Sequence, residues 1–182
     1  FTADFTVPKD GLAGDLVVHL PWVSGTVYVD DFTCYRIIPD FQPIDIELPN
    51  PSYEELNDSG HPLYHGAWGG FNGNYVKVVT DDASDGSVSI MLDNTGELTD
   101  YHIYSQFSVT GLIPGATYEI SFDAKGDLYP INGGAGMVGA DIELHKSDGS
   151  WGNPGLTGTN GIDPNPNLWQ TVTSTFDMPE GC

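Results

Sequence analysis

Basic residues are scarce in this sequence, and their scarcity argues against whole classes of partner. Five Lys and Arg residues stand against 26 Asp and Glu residues, which gives a formal net charge of −21 over 182 residues. Such a surface repels phosphate groups, so it disfavours nucleic acids and anionic lipid surfaces as partners. It suits divalent cations, saline surroundings or neutral glycans, and a well-solvated secreted surface is the simplest explanation for it.

Cysteine and long apolar runs are also nearly missing. The two cysteines, Cys34 and Cys182, form no CxxC pair and no Cys/His cluster at zinc spacing. No run approaches the roughly 18 apolar residues of a membrane span, which predicts no membrane insertion. No charged segment followed by an apolar stretch opens the chain, so we expect an extracellular or cell-surface protein whose signal peptide is removed or lies far upstream.

Helical periodicity is missing as well, and alternation of apolar and polar residues takes its place. This period of two is typical of strands with one buried face. Pro-Gly at 114–115, Asp-Gly at 148–149 and a Gly/Pro/Asn-rich stretch at 152–167 separate the runs. We predict strands near 14–20, 26–37, 75–80, 87–92, 101–109, 118–123, 138–144 and 169–177. Short strands at this spacing predict an all-β sandwich.

Motifs for catalysis are not found. Carboxylates are so abundant that pairs at glycosidase spacing arise by chance, and a GxSxG nucleophile motif is missing. His61 and His65 are four residues apart, but Pro62 and Gly66 argue against a helix that would direct both at one metal ion. We therefore expect no enzymatic activity.

Four segments resemble the family 4/9-type carbohydrate-binding modules. LPNPSYEEL at 48–56 is similar to their opening, GLIPGATYEISFDAKGD at 111–127 to their central strand, LWQTVTSTFDMPEG at 168–181 to a late strand, and GTVYVDDFTCYRI at 25–37 to the closing strand. The resemblance implies a galactose-binding-like, jelly-roll β-sandwich with a glycan cleft.

The order of these segments departs from the family, because the closing strand precedes the opening motif. We interpret residues 1–40 as C-terminal strands of one sandwich and residues 41–182 as a second sandwich that lacks its last strands. In support, Phe176 and Pro179 near the end align with Phe5 and Pro8 near the start. The N-terminal strands would then belong to a neighbouring or preceding module.

Three arrangements satisfy this interpretation. The N-terminal strands of a neighbouring copy complete the sandwich by strand addition, or the chain is one repeat of a tandem polypeptide. Alternatively, residues 1–38 fold back into their own body as a circular permutant. The link 38–48 contains three prolines, and stiff proline-rich links slightly favour reaching outward.

The resemblance also implies a structural calcium ion, Ca2+, near Glu54, Asp30 and Asp31. If Val27 and Val29 face the core, the alternation carries Asp31 inward too. A buried carboxylate needs a cation, hydrogen bonds or a β-bulge that turns it outward, and these alternatives stay open.

The sequence also offers two candidate covalent features. Cys34 lies on the closing strand and Cys182 follows the late strand, so the two form a candidate disulfide, within one chain or between copies. Asn57 begins an N-x-S sequon in a turn-rich segment and is a candidate glycosylation site.

Glycan binding requires aromatic rings that stack on sugars and polar groups that bond to hydroxyls. The candidate carbohydrate-binding residues are Trp68, Tyr75, His102, Tyr104, Gln106, Asp141 and Trp151. For Trp68 and Tyr75 the alternative is a role in capping the core.

The order of motifs favours a structural role. We predict a subunit or tandem repeat of an extracellular filament or adhesin, with other copies of itself and polysaccharide as partners. The alternative is a glycan-binding module of a secreted polysaccharide-degrading enzyme.

Overall fold

Antiparallel β-strands make up the computed structural model, which describes residues 13–20, 23–37, 44–95, 103–130, 138–146, 148–152 and 165–179. In these ranges the strands are β1 (Ala13–Leu20), β2 (Val23–Ile37), β3 (Ile44–Asp45), β4 (His65–Ala67), β5 (Val76–Val79), β6 (Ser89–Asp93), β7 (Ile103–Thr110), β8 (Thr117–Pro130), β9 (Gly139–His145), β10 (Trp151–Gly152) and β11 (Gln170–Asp177). These ranges contain no helix, and so none long and apolar enough to cross a membrane.

The strands form two sheets that pack as a sandwich, which confirms the predicted fold class. One sheet has five strands in the order β10-β9-β1-β7-β4. The other has six, in the order β11-β8-β2-β6-β5 with β3 on β2. The eight predicted strands correspond to β1, β2, β5, β6, β7, β8, β9 and β11. The sequence analysis missed β3, β4 and β10, which have only two or three residues each and show no alternation.

The two N-terminal strands are central strands of this sandwich. β1 pairs with β9 and β7, and β2 pairs with β8 and β6. A central strand makes hydrogen bonds along both edges, so each sheet would be split without it. The structure therefore has the fold-back arrangement. It corrects the expectation that these strands complete a different module, and a division at residue 40 does not divide this fold.

The core lies between the sheets and contains the inward residues of both. Alternation is clearest on β7, where Ile103, Ser105, Phe107 and Val109 are buried and the residues that alternate with them are half-buried or exposed. From the opposite sheet, Phe32 stacks on Phe122 with centroids 5.2 Å apart and meets the Phe107 ring edge-on at 5.5 Å. Phe32 therefore joins the two sheets.

One close approach of strands depends on glycine. Gly126 lies on β8 opposite Val27 of β2. A Cβ atom at position 126 would overlap the carbonyl oxygen of Thr26 and lie 2.7 Å from the Cα of Val27. Glycine thus lets β8 continue as a 14-residue strand alongside β2.

Candidate functional site

The Asp30–Asp31 pair lies at a β-bulge in β2. The register with β8 shifts between Asp30 and Thr33, and Asp31 takes a positive φ of 50°. The extra residue turns Asp31 to a half-buried position and gives the next core position to Phe32. Of the three predicted alternatives for Asp31, the structure has the bulge.

Asp30 is the buried carboxylate instead, and hydrogen bonds satisfy it. Its Oδ2 accepts bonds from the backbone N–H groups of Ser84 (2.7 Å) and Asp85 (3.0 Å) and from the Ser84 hydroxyl (3.2 Å). Its Oδ1 accepts the N–H of Asp31 at 2.9 Å. Burial raises the pKa of Asp30 to about 6, although these hydrogen bonds act in the opposite direction.

The Glu54 carboxylate also accepts hydrogen bonds, from Ser87 and Val88, which follow Ser84 and Asp85 in the chain. Its Oε1 accepts the N–H groups of Ser87 and Val88, both at 2.7 Å, and its Oε2 accepts the Ser87 hydroxyl at 2.9 Å. Desolvation opposes the charge of Glu54, but the bonds from Ser87 and Val88 outweigh it and lower the pKa of the carboxyl.

These contacts do not fit the predicted calcium site. An ionised carboxylate offers about four lone-pair positions, and N–H and O–H donors occupy four on Asp30 and three on Glu54. Within the described ranges, no three His, Cys, Asp or Glu side chains are grouped to hold a metal ion. Calcium remains a prediction from the resemblance alone.

The outer face of the five-stranded sheet brings several predicted glycan-binding residues together. Tyr104 and Gln106 project from β7 on the face opposite the core, and both are half-buried. Gly66 of β4 lies opposite Gln106, whose side chain runs along the glycine at ordinary contact distance. Because Gly66 has no side chain, the surface beside Gln106 stays open.

Trp68 borders this surface at the end of β4. Its backbone N–H donates to the Tyr104 carbonyl at 3.0 Å, and its ring meets the Tyr104 ring nearly edge-on at 5.8 Å. Trp68 also packs partly buried against the core. It therefore combines the two roles that the sequence left open, a core contact and one edge of the candidate face.

The opposite edge of the same sheet carries an exposed tryptophan. Trp151 of β10 is 61% exposed and lies over His145 of β9, with ring centroids 4.0 Å apart. Glu143, two residues before His145 on β9, is half-buried. Asp141 lies on the same strand opposite Val17 of β1, and its side chain is outside the described residues.

The structure does not bring every candidate together. Tyr75 precedes β5 of the other sheet, where its carbonyl accepts the N–H of Asp93 and its ring packs partly buried against the core. Its ring also passes close to Gly69, in the turn after Trp68. His102 lies outside the described residues.

The sequence analysis missed the middle of this face. β1 runs between β7 and β9, so Val17 is opposite both Gln106 and Asp141, and His19 is opposite Tyr104. These residues were overlooked because the N-terminal segment was assigned to another module. His145 was overlooked too, because its contact with Trp151 depends on a two-residue pairing that leaves no periodic signal.

A half-buried histidine of β4 packs beneath this face. His65 of β4 packs between the rings of Tyr53 and Phe107, at centroid distances of 4.5 and 4.9 Å. Its Nε2 donates to the Asn50 carbonyl at 2.9 Å, and its buried Nδ1 has no hydrogen-bond partner among the described residues. Burial lowers the pKa of His65 to about 4, so the ring is neutral at pH 7.

The predicted covalent sites remain predictions. Cys34 lies on β2, and β8 lies between β2 and the late strand β11. Cys182 is outside the described residues. Asn57 is exposed in a tight turn, where its Oδ1 accepts the N–H groups of Ser59 (2.9 Å) and His61 (3.1 Å).

Comparison with known proteins identifies one family. The family model described as a carbohydrate binding domain, of the 4/9 type, matches residues 63–181. That match begins two residues before β4 and includes β4 to β11. No curated protein and no solved structure gives a significant match to the chain.

Proposed function

The chain belongs to the 4/9-type carbohydrate-binding domain family, and we propose that it is a non-catalytic module that binds a neutral polysaccharide on the outer face of its five-stranded sheet. One observation carries the proposal. The Tyr104 hydroxyl and the Gln106 amide project side by side from β7, and neither makes a hydrogen bond to any described residue. Sugar hydroxyls supply the missing partners, and the Trp68 ring beside them supplies an apolar contact.

The net negative charge of the chain favours a neutral glycan over an anionic one. With 26 acidic residues against 5 basic residues, the chain carries a net negative charge that repels uronate and sulfate groups. Glu143 adds a carboxylate on β9, and Lys146 at the β9–β10 turn is the described basic residue nearest to it in the chain. A neutral chain of sugars avoids this repulsion and still offers hydroxyl groups to Tyr104 and Gln106.

The width of the face favours a polymer over a single sugar. Three strand spacings separate β7 from β10, which corresponds to about 14 Å at the usual spacing of neighbouring strands. Tyr104 and Trp151 therefore lie too far apart to contact one sugar ring. A bound oligosaccharide would run across β7, β1 and β9, with Trp68 and Trp151 near its two ends.

Isothermal titration with soluble neutral glucans and xylans, and with polygalacturonate as the anionic comparison, tests this function. We expect binding of a neutral polymer only. Tyr104→Phe and Gln106→Ala should each weaken it about tenfold, the effect of losing one well-placed hydrogen bond. Tyr129→Ala is the matched control, because Tyr129 is 57% exposed on the other sheet. Equal losses in all three variants, or no binding to any neutral polymer, would refute the proposal.

The role as a subunit of a filament or adhesin remains a prediction from the order of the motifs. Its main argument was that a sandwich without its last strands needs strands from a neighbouring module. In the structure, however, β1 and β2 of the same chain pair within the two sheets. Sedimentation velocity over a wide concentration range tests it directly. Concentration-dependent polymers would support self-association, and a single monomeric species would argue against it.

A further inference from the structure

The loop before β6 binds two carboxylates that come from separate parts of the chain. We propose that this chain uses the backbone amides of segment 84–88, in place of a calcium ion, to neutralise Asp30 and Glu54 and so to fasten β2 and the 50–55 loop to the body of the sandwich. None of the residues that make these contacts is a candidate carbohydrate-binding residue, so the inference is independent of the proposed function.

Asp30 shows why a cation has no place on that carboxylate. It is fully buried, and four donors surround its two oxygens: the N–H groups of Asp31, Ser84 and Asp85 and the Ser84 hydroxyl. Four donors fill the lone-pair positions of a carboxylate. A calcium ion would have to displace backbone N–H groups, and each of these would then be buried without a partner.

Glu54 repeats the arrangement from the other side of the same segment. Two consecutive N–H groups, those of Ser87 and Val88, converge on its Oε1. Gly86 lies between the two pairs of amides with a φ of 65°, and a Cβ atom there would overlap the Glu54 carboxylate. Consecutive amides around a left-handed turn form a concave site for an anion, which a carboxylate of the same chain fills here.

Further contacts fix the segment in place. The Ser52 hydroxyl donates to Asp85 at 3.1 Å, and the Ser89 hydroxyl donates to the carbonyl of Asp82 at 2.7 Å. Asp82 in turn forms an ion pair with Lys125 of β8. Glu54 and Asp85 also line a cavity of about 520 Å³ beside the 47–55 loop. The segment therefore connects β2, β6 and β8 with the wall of this cavity.

The first test needs no variant. Thermal unfolding of the full chain is compared in excess EGTA, in calcium chloride and in magnesium chloride at equal ionic strength, because any divalent ion screens an acidic protein. We expect equal midpoints in calcium and magnesium. We also expect slow amide hydrogen exchange at Ser84, Asp85, Ser87 and Val88 in EGTA. A midpoint raised by calcium but not by magnesium, or rapid exchange at these amides in EGTA, would overturn the proposal.

A pair of adjacent variants tests the assignment residue by residue. Glu54→Gln should lower the midpoint and speed exchange at residues 87 and 88 on the order of tenfold or more. Glu55→Gln is the control, since Glu55 is exposed and its carboxylate accepts no hydrogen bond from a described residue. Equal effects of the two variants would contradict the proposal. If Glu54→Gln does not fold, the comparison of calcium with magnesium in the unaltered chain decides.

Discussion

The two outer faces of the sandwich arise from the same alternation of residues but treat their polar side chains differently. On the six-stranded sheet they bond to one another, as in Thr171 to Asp123 (2.7 Å) and Thr117 to Asp177 (3.2 Å). On the five-stranded sheet, the polar groups of Tyr104 and Gln106 face outward without such a partner among the described residues. These polar side chains of the six-stranded sheet are hydrogen-bonded within the protein, whereas the Tyr104 hydroxyl and the Gln106 amide can form hydrogen bonds with a ligand.

The aromatic rings of the two outer faces differ in the same way, because a lysine contacts two of the rings of the six-stranded sheet. The Lys125 ammonium of the six-stranded sheet lies 5.2 Å from the Tyr28 ring centroid and 5.1 Å from that of Trp169, and it pairs with Asp82. Those two rings already contact a cation of their own chain. Trp151 on the five-stranded sheet has only His145 as a described ring partner and stays exposed. Tyr129 is exposed on the six-stranded sheet as well, but its hydroxyl already donates to Asp127 of the same strand at 2.6 Å.

The largest predicted difference between the sheets concerns two glycines. Gly126→Ala in the six-stranded sheet should destabilise the protein by about 3 kcal/mol, because the added methyl overlaps the backbone of β2. Gly66→Ala in the five-stranded sheet should leave stability nearly unchanged, since the three atoms nearest to its methyl all belong to the Gln106 side chain and lie at ordinary contact distances. Urea denaturation of both variants measures this difference. Similar losses would show that the two sheets do not differ in packing at these positions.

The same Gly66→Ala variant also tests whether the five-stranded sheet binds the glycan. The added methyl occupies open surface beside Gln106, so glycan affinity should fall while stability is kept. Gly66→Ala protein that binds as tightly as the parent would place the ligand elsewhere.

The next prediction uses one titratable group from each sheet whose pKa is shifted by desolvation. The pKa of Asp30 is raised to about 6, so its contribution to stability is present below its unfolded value near 4 and is lost as the pH rises through 6. The pKa of His65 is lowered to about 4, so its contribution is present above 6.5 and is lost as the pH falls through 4. Each contribution is on the order of 2 kcal/mol, and the two oppose each other between pH 4 and 6.5.

Single variants separate these two effects. Relative to the parent, Asp30→Asn should gain stability with rising pH over this window, and His65→Gln should lose it. Denaturation midpoints at several pH values from 4 to 7 measure both slopes. Three parallel curves would show that neither group is perturbed by its burial.

The smallest predicted effects concern the two lysines of the six-stranded sheet. Lys125→Ala removes contacts with two rings and an ion pair at a side chain that is 14% exposed, and should cost about 1 kcal/mol. Lys77→Ala removes an ion pair with Asp93 at a side chain that is 42% exposed, and should cost less than about 0.5 kcal/mol. Thermal denaturation should rank them in this order, and a reversed order would contradict the account of the Lys125 contacts.

Strand positions were predictable because alternation is a local signal. β7 and β9 alternate over seven or eight residues, and a sandwich follows from strands of that length. The pairing of β1 and β2 was not predictable, because only the fold decides whether a segment completes its own sheet or another. The prediction of an outward-reaching N-terminus relied on the order of family motifs and on the stiffness of proline-rich links. Neither takes into account the hydrogen bonds that β1 and β2 form along both edges as central strands.

The candidate site was predictable in part for the same reason. Tyr104 and Gln106 lie on the polar side of an alternating strand, so their outward direction follows from the sequence. The bulge that turns Asp31 outward and buries Asp30 was recognised only as one alternative, because a one-residue insertion changes every later side-chain direction. The role of the backbone amides of segment 84–88 could not be predicted from the sequence, because every residue except proline has a backbone N–H group.

The measurement that tests the central claim most directly is a titration of the labelled protein with a neutral oligosaccharide, followed by amide chemical shifts. The account predicts that the shifts which change belong to β1, β4, β7, β9 and β10 and to the turn after β4, while those of β8 and β11 stay constant. Changes centred on β8 and β11, with β7 unaffected, would contradict it.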